Sequence, residues 1–223
     1  MAEPVSGKSE SEGAQRIMIE EALFDLHGAG AGALAAPLAG TPGRLHESAA
    51  GVIETARLQL RRFVAGDAAF VLRLLNEPSF IQNIGDRGVR TLEQAVRYLE
   101  DGPLASYARH GHGLELVALK ESGQSIGMCG LLKRDAFPDR DVGYAFLPEY
   151  WSKGYARESV AAVLTQARES LKLPAVAAYV SPGNTPSIRL LEAFGFLPAG
   201  RAQVTPGAPE VLVFRLAWPR EGV

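Results

Sequence analysis

Apolar positions recur at three- and four-residue steps through Val160, Val163, Leu164 and Ala167. The run YWSKGYARESVAAVLTQARESL, Tyr150 to Leu171, therefore predicts an amphipathic helix preceded by a glycine-bearing loop. Upstream, TARLQLRRF alternates apolar Leu58 and Leu60 with Arg57, Gln59 and Arg61, the period of a half-buried strand. GDAAFVLRLLNEP predicts a short helix with Asp67 as its N-cap and Pro78 just past its end. Thr91 and Gln94 stand at capping-box spacing ahead of a helix carrying Ala95, Tyr98 and Leu99. GLELVALKESGQSIGMCGLLKR gives two strands joined by a turn at Glu121 to Gln124. Three further pieces follow: a strand over Asp141 to Leu147 stopped by Pro148, a strand, turn and short helix within Ala175 to Phe196, and a closing strand over Val211 to Pro219. Strands predominate early and a strand–helix–strand–helix unit follows, so the fold class is α/β (α+β), a mixed, mostly antiparallel sheet flanked by helices.

Residues 1–52 differ from this pattern. Met1 to Gln15 is polar and acidic, HGAGAGALAAPLAGTPG is too rich in Gly, Ala and Pro for a regular element, and a short amphipathic helix fits residues 16–26. The domain organisation expected is a flexible N-terminal extension over 1–52 and one folded domain over 53–219. The extension reads either as a plain tail or as a docking helix on a tether.

Composition narrows the class. At 223 residues, 47% hydrophobic and 22% charged, the chain has the content of an ordinary globular domain with a substantial core. A formal net charge of −2 gives no general attraction to nucleic acid or anionic membrane. No apolar run reaches the roughly 18–20 residues that span a bilayer, and the amino terminus lacks a secretory pattern. A cytoplasmic protein is expected, monomer or homodimer. Cys129 is the only cysteine, set in the apolar run IGMCGLL, and reads as a buried core residue. His110 and His112 lie in one loop without neighbouring carboxylates, so no metal is expected.

The loop WSKGYA carries the first candidate chemistry. The first N–H groups of a helix lack internal partners and sit at the positive end of its dipole. With no side chain at Gly154 and a methyl at Ala156, a phosphate can approach the N–H groups of Lys153, Gly154, Tyr155, Ala156 and Arg157. An ordinary helix start with a glycine for sharp turning is the competing reading. A P-loop is not, because GxxxxGK[ST] is absent and Lys153 precedes its glycine.

A strand, a glycine-bearing helix start, a second strand, then Asn184-x-x-Ser187 ahead of Gly195-Phe196 together resemble the Gcn5-related N-acetyltransferases (GNAT). The chain is most similar to the branch that includes the ribosomal-protein N-terminal acetyltransferases. Trp151 stands where that family's loop motif most often has Arg or Gln, and the resemblance covers roughly Ile53 to Pro219.

The resemblance implies an acetyl-CoA-dependent enzyme, an acyltransferase acting on an amino group. It also implies that Ala145, Phe146 and Leu147 form a bulged, splayed strand end along which the pantetheine arm pairs, with one N–H facing the thioester oxygen. Asp141 falls where many members carry a proton-accepting Glu. It is one methylene shorter, which favours a bridging water; the plain alternative is a surface carboxylate paired with Arg140 or Arg134. Leu191 occupies the place of the family's proton-donating Tyr, so Ser187 would serve the leaving sulfur and Asn184 the pantetheine amides. Both also suit simple helix capping. Arg87 and Arg90, in the loop NIGDRGVR, would lie on the acceptor side, or in a solvated connection. A non-catalytic acyl-CoA-binding module is the rival reading. The acceptor amine stays open among protein N-termini, polyamines, amino acids and antibiotics.

Overall fold

The computed structural model describes residues 46–47, 51–135, 137–204 and 207–219. The expected helix at 16–26 lies outside them; of the expected extension only residues 46–47, which form a strand, and 51–52 are described. In chain order the elements are β1 (His46–Glu47), β2 (Ile53–Glu54), β3 (Leu58–Arg62), α1 (Ala68–Leu75), α2 (Pro78–Asn83), α3 (Leu92–Leu99), α4 (Ala105–His110), β4 (Leu114–Leu119), β5 (Ser125–Leu132), β6 (Arg140–Phe146), α5 (Tyr155–Thr165), β7 (Ala175–Val180), α6 (Thr185–Ala193), β8 (Leu197–Ala202) and β9 (Val211–Ala217). They build one mixed sheet in the order β1-β2-β3-β4-β5-β6-β7-β9-β8. Every neighbouring pair is antiparallel except β6 with β7.

Alternation along the strands supplies two cores. On one face Val142, Phe146, Val176, Ala178 and Val180 pack with Val160, Val163 and Leu164 of α5, the stripe the helical period predicts. On the other, Leu116, Met128 and Leu147 pack with Val71, Leu74 and Leu99 of α1 and α3. The Thr91–Gln94 capping box forms: Thr91 Oγ1 accepts the Gln94 N–H at 3.2 Å and Gln94 Oε1 accepts the Thr91 N–H at 3.1 Å.

Asp67 departs from expectation. Its carboxylate accepts the Val64 N–H at 2.9 Å and both Arg61 guanidinium donors at 2.8 Å, so it closes the turn before α1 instead of capping the helix. Pro78 likewise does not merely end a helix. It sits in the first turn of α2, where its missing N–H costs nothing.

One feature of the sheet positions everything else. β6 and β7 are paired only at Arg140↔Val176 and Asp141↔Ala177. Beyond Asp141 the two strands diverge, leaving the β6 edge from Val142 to Phe146 without a strand beside it.

Candidate active site

The free edge of β6 is continuous where a bulge is expected. Its register with β5 runs unbroken from Leu132↔Asp141 to Gly127↔Phe146, so the expected bulge at Ala145–Leu147 is absent. Gly127 allows this: a Cβ there would stand 2.4 Å from the Phe146 ring and 2.5 Å from the Ala145 carbonyl. The Phe146 ring therefore packs against a bare glycine and the strand stays in step. Leu147 spends its N–H on Ile126 O at 3.0 Å. Strand alternation then turns the N–H groups of Phe146 and Tyr144 toward the open edge. The Phe146 carbonyl accepts the Trp151 indole N–H at 2.8 Å, which ties the half-exposed Trp151 back onto the strand end.

At that end the chain turns into α5. Gly154 is left-handed at φ +81°, which a side chain disfavours, and a Cβ there would meet the Arg57 guanidinium at 3.3 Å. The N–H groups of Tyr155, Ala156 and Arg157 begin the helix without carbonyls behind them. The loop is braced from the turn between β2 and β3: Arg57 donates to Lys153 O at 3.0 Å and to Glu158 Oε2 at 2.7 Å, and stacks 4.6 Å from the Tyr155 ring centroid. Glu158 Oε1 also accepts from Thr55 Oγ1 at 2.6 Å and from the Arg57 N–H at 2.8 Å. Burial would raise the Glu158 pKa, but these donors outweigh it and hold the group below its ordinary value. This brace is not among the sequence-predicted site residues; the only signal for it is a glutamate in the first turn of the helix.

Across the splay, Asn184 caps α6, its Oδ1 accepting the Ser187 N–H at 3.3 Å. Capping is thus one real use of Asn184, while its amide donors stay separate from that bond. The Ser187 hydroxyl lies 2.6 Å from the Tyr144 hydroxyl. Burial pushes the Tyr144 phenol up to about 12, so it is a neutral O–H at physiological pH. Tyr144, which the sequence reading did not single out, thus joins the candidate site. Leu191 is buried in the core.

Asp141 stands at the closed end of the splay. It is only 2% exposed, and Arg134 grips it with Nε–Oδ1 at 2.9 Å and Nη2–Oδ2 at 3.1 Å. It is paired with Arg134, as one reading allowed, but it is not a surface group. Burial raises its pKa, and Arg134 offsets that only in part. Tyr179 joins the pair, with the Arg134 guanidinium 5.7 Å over its ring. Asp141 and Tyr144 are three residues apart on a strand and so face opposite sides of the sheet. The site therefore has a carboxylate on one face, a hydroxyl pair on the other and an open strand edge between them.

The remaining predicted residues separate. Arg90 is held by Asp86 at 2.5 Å, whereas Arg87 lines a cavity of about 680 Å³ beside α3 and α4. Cys129 is buried, which pushes its thiol up to about 12. His112 is engaged by Arg140 Nε at 2.7 Å and Leu131 O at 3.2 Å. Among the described residues no group of three or more His, Cys, Asp or Glu is placed to hold a metal ion, and no helix is long and apolar enough to cross a membrane.

Comparison with known proteins gives the family and the fold. The acetyltransferase (GNAT) domain family matches residues 57–197. An uncharacterized N-acetyltransferase of Bacillus subtilis, YoaA, is 27% identical over 176 residues, covering 76% of this chain and 98% of its own. The crystal structure of an acetyltransferase from Agrobacterium tumefaciens is 28% identical with a TM-score of 0.64, covering 75% of this chain and 94% of its own. A ribosomal-protein-S5-alanine acetyltransferase from Vibrio fischeri shares the fold at 22% identity and a TM-score of 0.61, over 74% of this chain and 96% of that one.

Proposed function

Because this chain belongs to the acetyltransferase (GNAT) domain family, we propose that it moves an acetyl group from acetyl-CoA directly onto a primary amine. The observation that carries the reading is the divergence of β6 from β7 beyond Asp141, which frees a strand edge leading from the α5 loop to the carboxylate. The fit is specific. A strand edge turning the Phe146 and Tyr144 N–H groups outward suits an amide-bearing arm, and the left-handed Gly154 ahead of unpartnered helix N–H groups suits a diphosphate. Acetyl-CoA supplies the activated thioester.

The residues divide the remaining work. Lys153 to Arg157 bind through backbone N–H groups, with Arg57 and Glu158 fixing the loop. Asn184 offers its amide N–H to the arm. Asp141 accepts the proton of the incoming amine through water, because its two oxygens are already aligned on Arg134 and its side chain is short. That base is needed, since an amine of pKa about 8–10 is mostly protonated at pH 7. Ser187, its hydroxyl oriented by the neutral Tyr144 hydroxyl, would hydrogen-bond the departing sulfur, and the thiolate would take its proton from solvent. Cys129, buried and held as a thiol, is unsuited to a covalent relay, which favours direct transfer. A cytoplasmic setting suits a chain whose one cysteine is a buried free thiol.

The test is release of free CoA thiol from acetyl-CoA across a panel of amine acceptors. Turnover with at least one amine, lost in Asp141→Asn, is expected. Acetyl-CoA binding without turnover on any amine would instead favour the acyl-CoA-binding module.

A further inference from the structure

The cavity beside α3 and α4 has a charge pattern that the acetyl donor does not explain. Its wall carries Arg87, Arg97, Arg109 and Lys133, with His110, against a single carboxylate, Asp101. The chain as a whole has a formal net charge of −2, so this is a local reversal of sign. The contrast extends to pairing. Arg57, Arg61, Arg73, Arg90, Arg134 and Arg215 each have a carboxylate within ion-pair distance. Among the described residues no ion pair involves Arg87, Arg97 or Arg109. Lys133 is satisfied by backbone carbonyls, bonding Arg134 O at 3.1 Å and Phe137 O at 2.5 Å, so its charge is fixed in place without being neutralised.

The cavity opens on the same sheet face as Asp141. Leu114 and Leu132 line it, and both pack over Gly143, where a Cβ would meet Leu132 Cδ1 at 2.7 Å and Leu114 Cδ2 at 3.5 Å. Gly143 is two residues along β6 from Asp141 and shares its face. Tyr98, half-buried, also lines the cavity, and its hydroxyl lies within the field of both Arg87 and Arg134, the partner of Asp141.

We propose that this cavity binds the acidic segment of a peptide acceptor, whose amino terminus then lies toward Asp141; the proposal rests on the acetyltransferase reading above. The charges decide the class. A polyamine brings cations to a cationic wall and is repelled, while a carboxylate is attracted. An ammonium near these arginines is also destabilised, so the acceptor nitrogen sheds its proton more readily there. The cations come from four places: the loop after α2, α3, α4 and the chain just past β5. A free amino acid offers one carboxylate to one such point. An extended peptide, advancing about 3.3–3.6 Å per residue, brings several carboxylates to several points. The volume, about 680 Å³, is in the range that encloses a ligand of three or four residues.

The experiment uses the full chain, acetyl-CoA and three peptides with a common amino terminus: Ala-Glu-Asp-Glu-Tyr, Ala-Gln-Asn-Gln-Tyr and Ala-Lys-Lys-Lys-Tyr. The acidic peptide should have a KM about tenfold below the neutral one, equivalent to about 1.4 kcal/mol, and the lysine peptide should be poorest. The preference should shrink in high salt and vanish in Arg97→Gln/Arg109→Gln, whose side chains are exposed, while persisting in Arg168→Gln, an exposed position just past α5. Equal KM values for the three peptides, or better turnover of spermidine or free glutamate, would overturn the proposal while leaving the enzyme an N-acetyltransferase. If no peptide is acetylated, fluorescence anisotropy of the labelled peptides decides. Tighter binding of the acidic one, lost in the double variant, upholds the cavity while the transfer reading fails; equal binding overturns it.

Discussion

The Tyr144 hydroxyl lies 2.6 Å from Ser187 Oγ, joining the strand on one side of the splay to the helix beyond the strand on the other. In the proposed mechanism this pair stabilises the departing thiolate by hydrogen bonding, a part the resemblance gives to a Tyr where this chain has Leu191. Ser187→Ala should lower kcat by about 10²-fold or more while leaving acetyl-CoA affinity nearly unchanged. Tyr144→Phe, acting through Ser187, should lower it less. The double variant should be no worse than Ser187→Ala, since two residues in one hydrogen-bonded pair are not additive. Steady-state kinetics decide; additive losses would show that the two hydroxyls act separately.

The loop ahead of α5 gives a second expectation. Gly154→Val places a branched side chain at φ +81°, at about 1–2 kcal/mol of backbone strain, and pushes against Arg57. Acetyl-CoA affinity should fall at least about tenfold by calorimetric titration. Glu158→Gln should weaken it more mildly, because the loop keeps its backbone but loses the charge that holds Arg57. Wild-type affinity in both would remove the loop from the binding site.

Much of this architecture is legible in the sequence where one interaction dominates. The Val160–Ala167 stripe, the Thr91 capping box and the Leu58/Leu60 alternation each depend on neighbours within a few residues, and each forms. What is not legible depends on contacts distant in sequence. Asp67 satisfies the N-cap pattern, yet Arg61 on β3 claims its carboxylate. The unbroken register of β6 depends on Gly127 in another strand. Tyr144 reads as one more apolar position of a strand until α6 brings Ser187 to it. Arg87 and Arg90 are indistinguishable in the loop, and only Asp86 separates them by pairing with one.

Gly127 offers a stability test of that register. An added methyl would meet the Ala145 carbonyl at 2.5 Å, a backbone atom that cannot swing aside. Gly127→Ala should cost about 1–3 kcal/mol by overpacking, seen as a lower Tm. Because the displaced atoms belong to the β6 edge, acetyl-CoA affinity should fall with it. A variant with unchanged Tm would mean that β5 and β6 separate easily.

Asp141 and Arg134 make the sharpest pH test. Burial raises the carboxyl pKa and Arg134 opposes the rise, so Arg134→Gln should raise it further. If Asp141 is the base, the acid limb of kcat/KM marks its ionisation in the free enzyme. That limb should move to higher pH in Arg134→Gln and disappear in Asp141→Asn, with kcat lowered by about 10²–10⁴-fold. The Asp141→Asn loss should shrink as pH rises and more of the acceptor is already neutral. Stability carries an independent sign. A raised folded-state pKa means that the folded protein holds this proton more tightly than the unfolded chain. The group's contribution therefore declines as pH rises from the ordinary carboxylate value through the folded one. Without Arg134 the buried carboxylate is unpaired, costing up to about 3 kcal/mol once ionised, a figure reduced because Arg134 is partly solvated. The Tm deficit of Arg134→Gln should thus be large at neutral pH and shrink on acidification. A deficit independent of pH would mean that Asp141 is not the group that Arg134 serves. An acid limb that stays in place would remove Asp141 from the proton path.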